Sequence, residues 1–165
     1  MCELTRRRKV WNTLFVELRR GGVANVASFE VLGQTPAADE TQIAKDVNRT
    51  EVARDLTDSQ RRAYFSTLQR VLRAYSNLCP TVGYIQGMNV IVSALLYSVC
   101  DDYDHIASYG EFAFKLLVAL LEDLRISDFY KCDMKRMINF FGRVEDRVQA
   151  EFPEVYTRMV STEVG

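Results

Sequence analysis

The sequence predicts an all-α protein, an irregular multi-helix domain, and three observations carry that expectation. Apolar residues recur at spacings of three, four and seven through most of the 165 residues. No stretch alternates apolar with polar residues while enriched in β-branched side chains, as a half-buried strand would. Gly21-Gly22, Pro80 and Pro153 stand at the edges of the periodic stretches, where helices stop or start. One domain is the natural count for this length, enough to bury roughly two-thirds of the surface exposed when unfolded.

In chain order, the first helix is expected from Leu4 to about Arg20, with Leu4, Trp11, Leu14, Phe15 and Leu18 on one face and Gly21-Gly22 as its end. Arg6, Arg7, Arg8 and Lys9 read as a solvated run, and Trp11 as a core anchor. A short apolar element, Val23 to Leu32, stops at Gly33, and GQTPAADETQ reads as a polar loop. IAKDVNRT follows. Thr57-x-x-Gln60 has the form of a capping box, and Tyr64, Phe65, Leu68, Val71, Leu72, Tyr75 and Leu78 make a long helical stripe that Pro80 cuts off.

The stretch VGYIQGMN, Val82 to Asn89, opens the most apolar segment of the chain. No residue between Arg73 and Asp101 is charged, so Val90 to Cys100 is expected to be buried on most sides. DDYD is a solvated break. Phe112, Leu116, Leu117, Leu120, Leu121 and Leu124 predict another helix, and Met134, Met137, Ile138, Phe141, Val144 and Val148 one more. Pro153 fits the first position of a further helix, EVYTRMV.

Composition narrows the function classes. With 21 basic and 22 acidic residues the net charge is -1, which removes the strongest argument for nucleic acid or an anionic membrane as partner. Cys2, Cys79, Cys100 and Cys132 form no C-x-x-C pair and cannot build a zinc site with the lone His105 at usual spacings, so reduced, cytosolic thiols are expected. MCELTRRRKVW lacks the apolar core of a secretory signal. The apolar run before Asp101 contains Ser76, Asn77, Pro80, Gln86 and Asn89, leaving too little for the roughly 20 residues of a membrane span.

Neither G-x-x-x-x-G-K-[ST] nor G-x-G-x-x-G occurs, so the chain has no phosphate cradle of its own. His105 lies beside Asp104 with no G-x-S-x-G nucleophile, and solvent exposure explains it. Asp101-Asp102 and Glu122-Asp123 read as solvated helix ends. Two stretches remain: Ile43-x-x-Asp46-x-x-Arg49 and Tyr84-x-Gln86. On a helical turn Asp46 and Arg49 share a face, so the carboxylate can hold the guanidinium; alone, that is an ordinary surface ion pair. Gln86 poses a sharper question, since a buried amide needs partners and an exposed one is available to something else. Gly83 and Gly87 serve either a close approach to a partner or packing against a neighbouring helix.

Taken together, Arg7-x-x-x-Trp11, IAKDVNRT and GYIQGMN, in this order and with an amphipathic helix between the last two, resemble the TBC-domain family of Rab GTPase-activating proteins. The helix led by Phe112 and the Phe129-Tyr130 pair also resemble it, while Ile85 stands where the family commonly has cysteine. The resemblance covers nearly all of the chain, 1–165, but only the larger N-terminal part of the family's domain. The family's further C-terminal helices carry additional tryptophans, and here Trp11 is the only one, so truncation is expected.

The resemblance implies a Rab GTPase as partner and acceleration of its GTP hydrolysis in trans, with no active site of the chain's own. Arg49 would be the arginine finger and Gln86 the glutamine finger, the latter replacing one the GTPase would otherwise use. Asp46 would position Arg49, and Tyr84 the backbone around Gln86; Arg7, Trp11 and Ile43 would serve the fold. No cofactor is implied beyond the GTP and Mg²⁺ held by the GTPase, and the location implied is cytoplasmic, with recruitment to membranes through the GTPase. The rival expectation is a helical scaffold that binds a GTPase or another partner without accelerating hydrolysis. If the domain is cut short, helices from Phe112 onward should expose an apolar face and favour self-association.

Overall fold

A computed structural model describes residues 29–52, 56–130 and 134–162, and every regular element among them is helical. The chain divides into two units, Met1–Ile126 and Ser127–Gly165. The helix expected over Leu4 to Arg20, with Arg7 and Trp11, lies outside the described residues.

In the first unit the organising element is α3, Asp58–Leu78, which follows α1 (Phe29–Gln34) and α2 (Glu40–Asn48). Its capping box forms as the sequence requires: Thr57 Oγ1 accepts from Gln60 N at 3.2 Å, and Gln60 Oε1 accepts from Thr57 N at 2.9 Å. Tyr64, Leu68, Val71, Leu72 and Tyr75 bury the expected stripe. The helix closes at Leu78, ahead of Pro80.

α1 lies on α3, and here the structure corrects the boundary at Gly33. That glycine sits inside the helix, where an added Cβ would meet the Arg70 carbonyl oxygen at 3.1 Å; it permits close packing and does not end the helix. Phe29 packs on Phe114, ring centroids 5.6 Å apart, with the Arg70 guanidinium 5.0 Å over its ring. The polar loop is also shorter than expected, because Glu40, Thr41 and Gln42 are already helical. Glu40 is held by α3: Arg73 Nε donates to its Oε2 at 2.7 Å and Gln69 Nε2 to its Oε1 at 2.8 Å. The bond from Arg73 draws the Glu40 carboxyl below its ordinary pKa and fixes α2 against α3.

α4 (Met88–Val99) packs on α3 and on α5 (Gly110–Val118). It is buried on one face only: Val90 is 62% and Tyr97 58% exposed, with Ala94 exposed between them. An uncharged sequence signals apolar composition; the number of neighbours decides burial, and these are confined to one side. Between α4 and α5 the acidic break holds a 3-10 helix, Tyr103–Tyr109. The expected helix through Leu124 instead ends at Val118 and continues as a π turn, Ala119–Asp123, closed by Leu124 N to Ala119 O at 3.1 Å. Glu122 is therefore not merely solvated: it accepts from the buried Tyr75 hydroxyl at 2.7 Å.

The second unit contains α6 (Lys135–Glu151) and α7 (Pro153–Thr162), with Pro153 at the first helical position as expected. Met134 precedes α6 with φ +59°, so the helix starts one residue later than its apolar spacing implied. Phe129 meets Phe140 edge-on at 5.6 Å and carries Arg136 over its ring. Ile138, Phe141, Val144, Val155, Met159 and Val160 are exposed. Apolar exposure therefore does not begin at Phe112 as expected, because α5 buries Ala113, Phe114, Leu116, Leu117 and Val118.

Two substitutions, one in α3 and one at its N-cap, test this helix. Leu68→Ala, at a site with no exposed surface, should lower unfolding free energy by about 2–5 kcal/mol in chemical denaturation. Thr57→Ala should lower it by about 1 kcal/mol through loss of the cap.

Candidate functional site

The sequence builds the site around one buried carboxylate. Ile43, Asp46 and Val47 form the inward face of α2, at spacings of three and four, and Asp46 shows no exposed surface. A carboxylate there must be matched by donors. Its Oδ1 accepts from Gln42 Nε2 at 3.0 Å and contacts Arg49 Nη2 at 2.6 Å; its Oδ2 accepts from the Tyr84 hydroxyl at 2.7 Å. Arg49 caps the C-terminus of α2 and its side chain is 59% exposed, so one edge of the guanidinium is tethered while the rest faces solvent.

Tyr84 is fixed at both ends from α2. Its backbone N–H donates to Asp39 Oδ2 at 2.8 Å, just before the helix, and its hydroxyl reaches Asp46 two turns further on. Ser76 of α3 donates to the same Asp39 oxygen at 3.2 Å. Gly83 makes this possible: φ is +65°, and a Cβ would stand 2.8 Å from Asp39 Oδ2. Burial and the bond to Asp46 raise the Tyr84 phenol above its ordinary pKa, keeping it a neutral donor.

Two residues after Tyr84 the chain turns sharply. Met88 N donates to Ile85 O at 3.0 Å, and Gly87, third in the turn, has φ +100° and ψ -20°, the pattern of a type II turn. Gln86 occupies the second position of that turn, exposed, with no side-chain hydrogen bond to any described residue. The question raised by its amide is thus answered: it is available. Nothing lies within 4 Å of a Cβ placed on Gly87, so packing against a neighbouring helix does not account for that glycine. The turn geometry does.

Hydrogen bonds therefore join Asp46, Arg49 and Tyr84, with Gly83 before Tyr84 and the Gln86 turn directly after it in the chain, and Ile43 is buried in the core. Sequence reasoning missed Asp39, Gln42, Thr50 and Asn89. Asn89 Nδ2 donates to Thr50 Oγ1 at 2.8 Å and to Asp46 O at 3.3 Å, while its Oδ1 lies 3.3 Å from the Tyr84 hydroxyl as a minor acceptor beside Asp46. The signal for Asn89 was an isolated amide in an apolar helix, and for Gln42 its four-residue spacing from Asp46. Asp39 had none, because its partner lies 45 residues away. His105 is exposed as expected, bonded to Asp102, which raises the imidazole pKa.

Comparison with known proteins adds three relatives and a family. The model of the Rab-GTPase-TBC domain matches residues 5–165. Rab GTPase-activating protein eat-17 of Caenorhabditis elegans is 33% identical over 118 residues, 72% of this chain and 12% of that protein. GTPase-activating protein GYP5 of Eremothecium gossypii is 29% identical over 133 residues, 80% of this chain and 14% of its own length. TBC domain-containing protein C4G8.04 of Schizosaccharomyces pombe is 27% identical over 133 residues, covering 79% and 16% respectively. The match thus spans less than a fifth of each relative's length.

Tyr84→Phe should destabilise the protein by about 1–3 kcal/mol, because it strips a donor from a buried carboxylate. It should also change the alkaline profile. A phenol whose pKa is raised on folding contributes stability below its unfolded pKa of about 10, and loses it as pH rises through the folded value. Denaturation from neutral to strongly alkaline pH should therefore show a shallower decline for Tyr84→Phe than for the wild type.

Proposed function

Because the chain belongs to the Rab-GTPase-TBC domain family, we propose that it activates a Rab-type small GTPase by inserting Arg49 and Gln86 into the partner's nucleotide site. The observation that carries this reading is an exposed guanidinium braced by Asp46, which also holds Tyr84, two residues before an exposed, uncommitted amide at Gln86. A surface ion pair alone would not need the Asp46–Tyr84 link to a glutamine turn.

Hydrolysis of GTP transfers the γ-phosphoryl group to water, and the partner supplies GTP and Mg²⁺. Arg49 is permanently charged and forks onto phosphate oxygens as negative charge shifts toward the leaving group. Its tether to Asp46 reduces the freedom lost on engagement, leaving the outer guanidinium edge for phosphate. Gln86 accepts a hydrogen bond from the attacking water through its amide oxygen and donates through its amide nitrogen, orienting the water in line. Asp46 and Tyr84 position these groups and do not touch the nucleotide. In a cell this activity belongs in the cytoplasm, at membranes reached through the GTPase.

The apolar residues of α6 and α7 support a second, separate proposal. Phe141, Val144, Val148, Met159 and Val160, with Glu145 and Tyr156, line an open cavity of about 360 Å³ within the second unit, and a second copy of the chain would remove its apolar surface from water. Sedimentation velocity should show concentration-dependent dimerisation that Phe141→Asp weakens. A monomer at all concentrations would contradict it.

For the activity, Arg49→Lys should lose most stimulation of hydrolysis, on the order of 10³ to 10⁵-fold, while GTPase binding persists. Gln86→Ala should cost about 2.7–4 kcal/mol of transition-state stabilisation, the range for one such hydrogen bond. A Rab whose own catalytic glutamine is replaced by leucine should still be accelerated by the wild-type chain. Binding without stimulation, unaffected by either substitution, would favour the scaffold.

A further inference from the structure

We infer that Asn89 is a positioning residue that fixes where Arg49 stands relative to the Gln86 turn, an inference that rests on the two-finger reading. Asn89 is the second residue of α4, three positions beyond Gln86, and only 6% exposed. Its amide nitrogen donates to Asp46 O at 3.3 Å and Thr50 Oγ1 at 2.8 Å, so it holds both residues that bracket Arg49. Its oxygen lies 3.3 Å from the Tyr84 hydroxyl, on the other side of Gln86, as the minor acceptor of a proton that goes chiefly to Asp46 Oδ2 at 2.7 Å. Thr50 Oγ1 donates in turn to Asp46 O at 2.7 Å, which closes the end of α2 around the amide.

Packing alone does not call for this residue. Its neighbours on the inward face of α4 include Met88, Val92, Leu95, Leu96 and Val99, and an apolar side chain would bury as well without the cost of desolvating an amide. An apolar contact, however, is non-directional and lets two segments slide, whereas hydrogen bonds fix angle and distance. The described bonds between side chains of residues 46–50 and 84–89 come from Tyr84 and Asn89. With Tyr84 alone the end of α2 could pivot about one bond; Asn89 supplies further points. A reacting group displaced by about 1 Å can lose on the order of 10²-fold in rate, so that restraint matters at the transition state far more than in binding.

The test compares two complexes with the Rab GTPase whose hydrolysis the chain stimulates most in a panel survey. One holds a non-hydrolysable GTP analogue, mimicking the ground state; the other holds GDP with aluminium fluoride, mimicking the phosphoryl group in transfer. Asn89→Ala should leave affinity for the first unchanged and weaken the second on the order of 10²-fold. Thr50→Val, which removes one of the partners of Asn89 at similar volume, should show a smaller loss of the same kind, and carries the test if Asn89→Ala does not fold. Adding Asn89→Ala or Thr50→Val to Arg49→Ala should cause no further loss, because the restraint has nothing left to position. Equal weakening of both complexes, a full additional loss on top of Arg49→Ala, or no loss at all would overturn the inference. If Arg49→Ala itself retains full affinity for the fluoride complex, the two-finger reading fails instead.

Discussion

The rest of the site depends on the burial of one carboxylate. Asp46 has no exposed surface, so its charge must be matched inside the protein. Gln42, Arg49 and Tyr84 together do so, drawn from one turn earlier, one turn later and a distant loop. Removing any one leaves a buried acceptor short of donors. The burial therefore holds Arg49 in place and registers α2 against the turn at Gln86. Glu40 performs the matching task one level down, binding α2 to α3 through Arg73 and Gln69.

The proposed function draws on this arrangement. Asp46 and Tyr84 are hydrogen-bonded before any partner arrives, so on the proposed function less conformational freedom would be lost on engagement. Gly83 and Gly87 shape the same support through positive φ values, one beneath the Asp39 carboxylate and one at the turn that turns Gln86 outward. Neither role is visible to a count of contacts between helices; both follow from backbone conformation.

Much of this was legible in the sequence. The all-α class, the Thr57–Gln60 capping box, the stop before Pro80 and the start at Pro153 follow from local periodicity and cap chemistry, which act over a few residues. The proximity of Asp46 and Arg49 was legible for the same reason. What sequence spacing could not supply was long-range: the bond from Tyr84 to Asp46 spans 38 residues and that from Asn89 to Thr50 spans 39. Gly33 misled because a glycine in a tight helix contact and a glycine at a helix end look alike without the neighbour, here the Arg70 carbonyl. The exposed face of α4 misled because Val90 and Tyr97 are apolar whether or not anything covers them.

The proposed function has Arg49 and Gln86 enter a partner's nucleotide site together, with Asp46 and Tyr84 behind them. The most direct measurement is the structure of the chain bound to a Rab GTPase holding GDP, Mg²⁺ and aluminium fluoride. In that complex the Arg49 guanidinium should lie within hydrogen-bonding distance of the fluoride group and the Gln86 amide on the in-line water, with the bonds from Tyr84 and Arg49 to Asp46 retained. A complex in which either side chain points away from the nucleotide, or in which the GTPase's own glutamine holds the water, would contradict it.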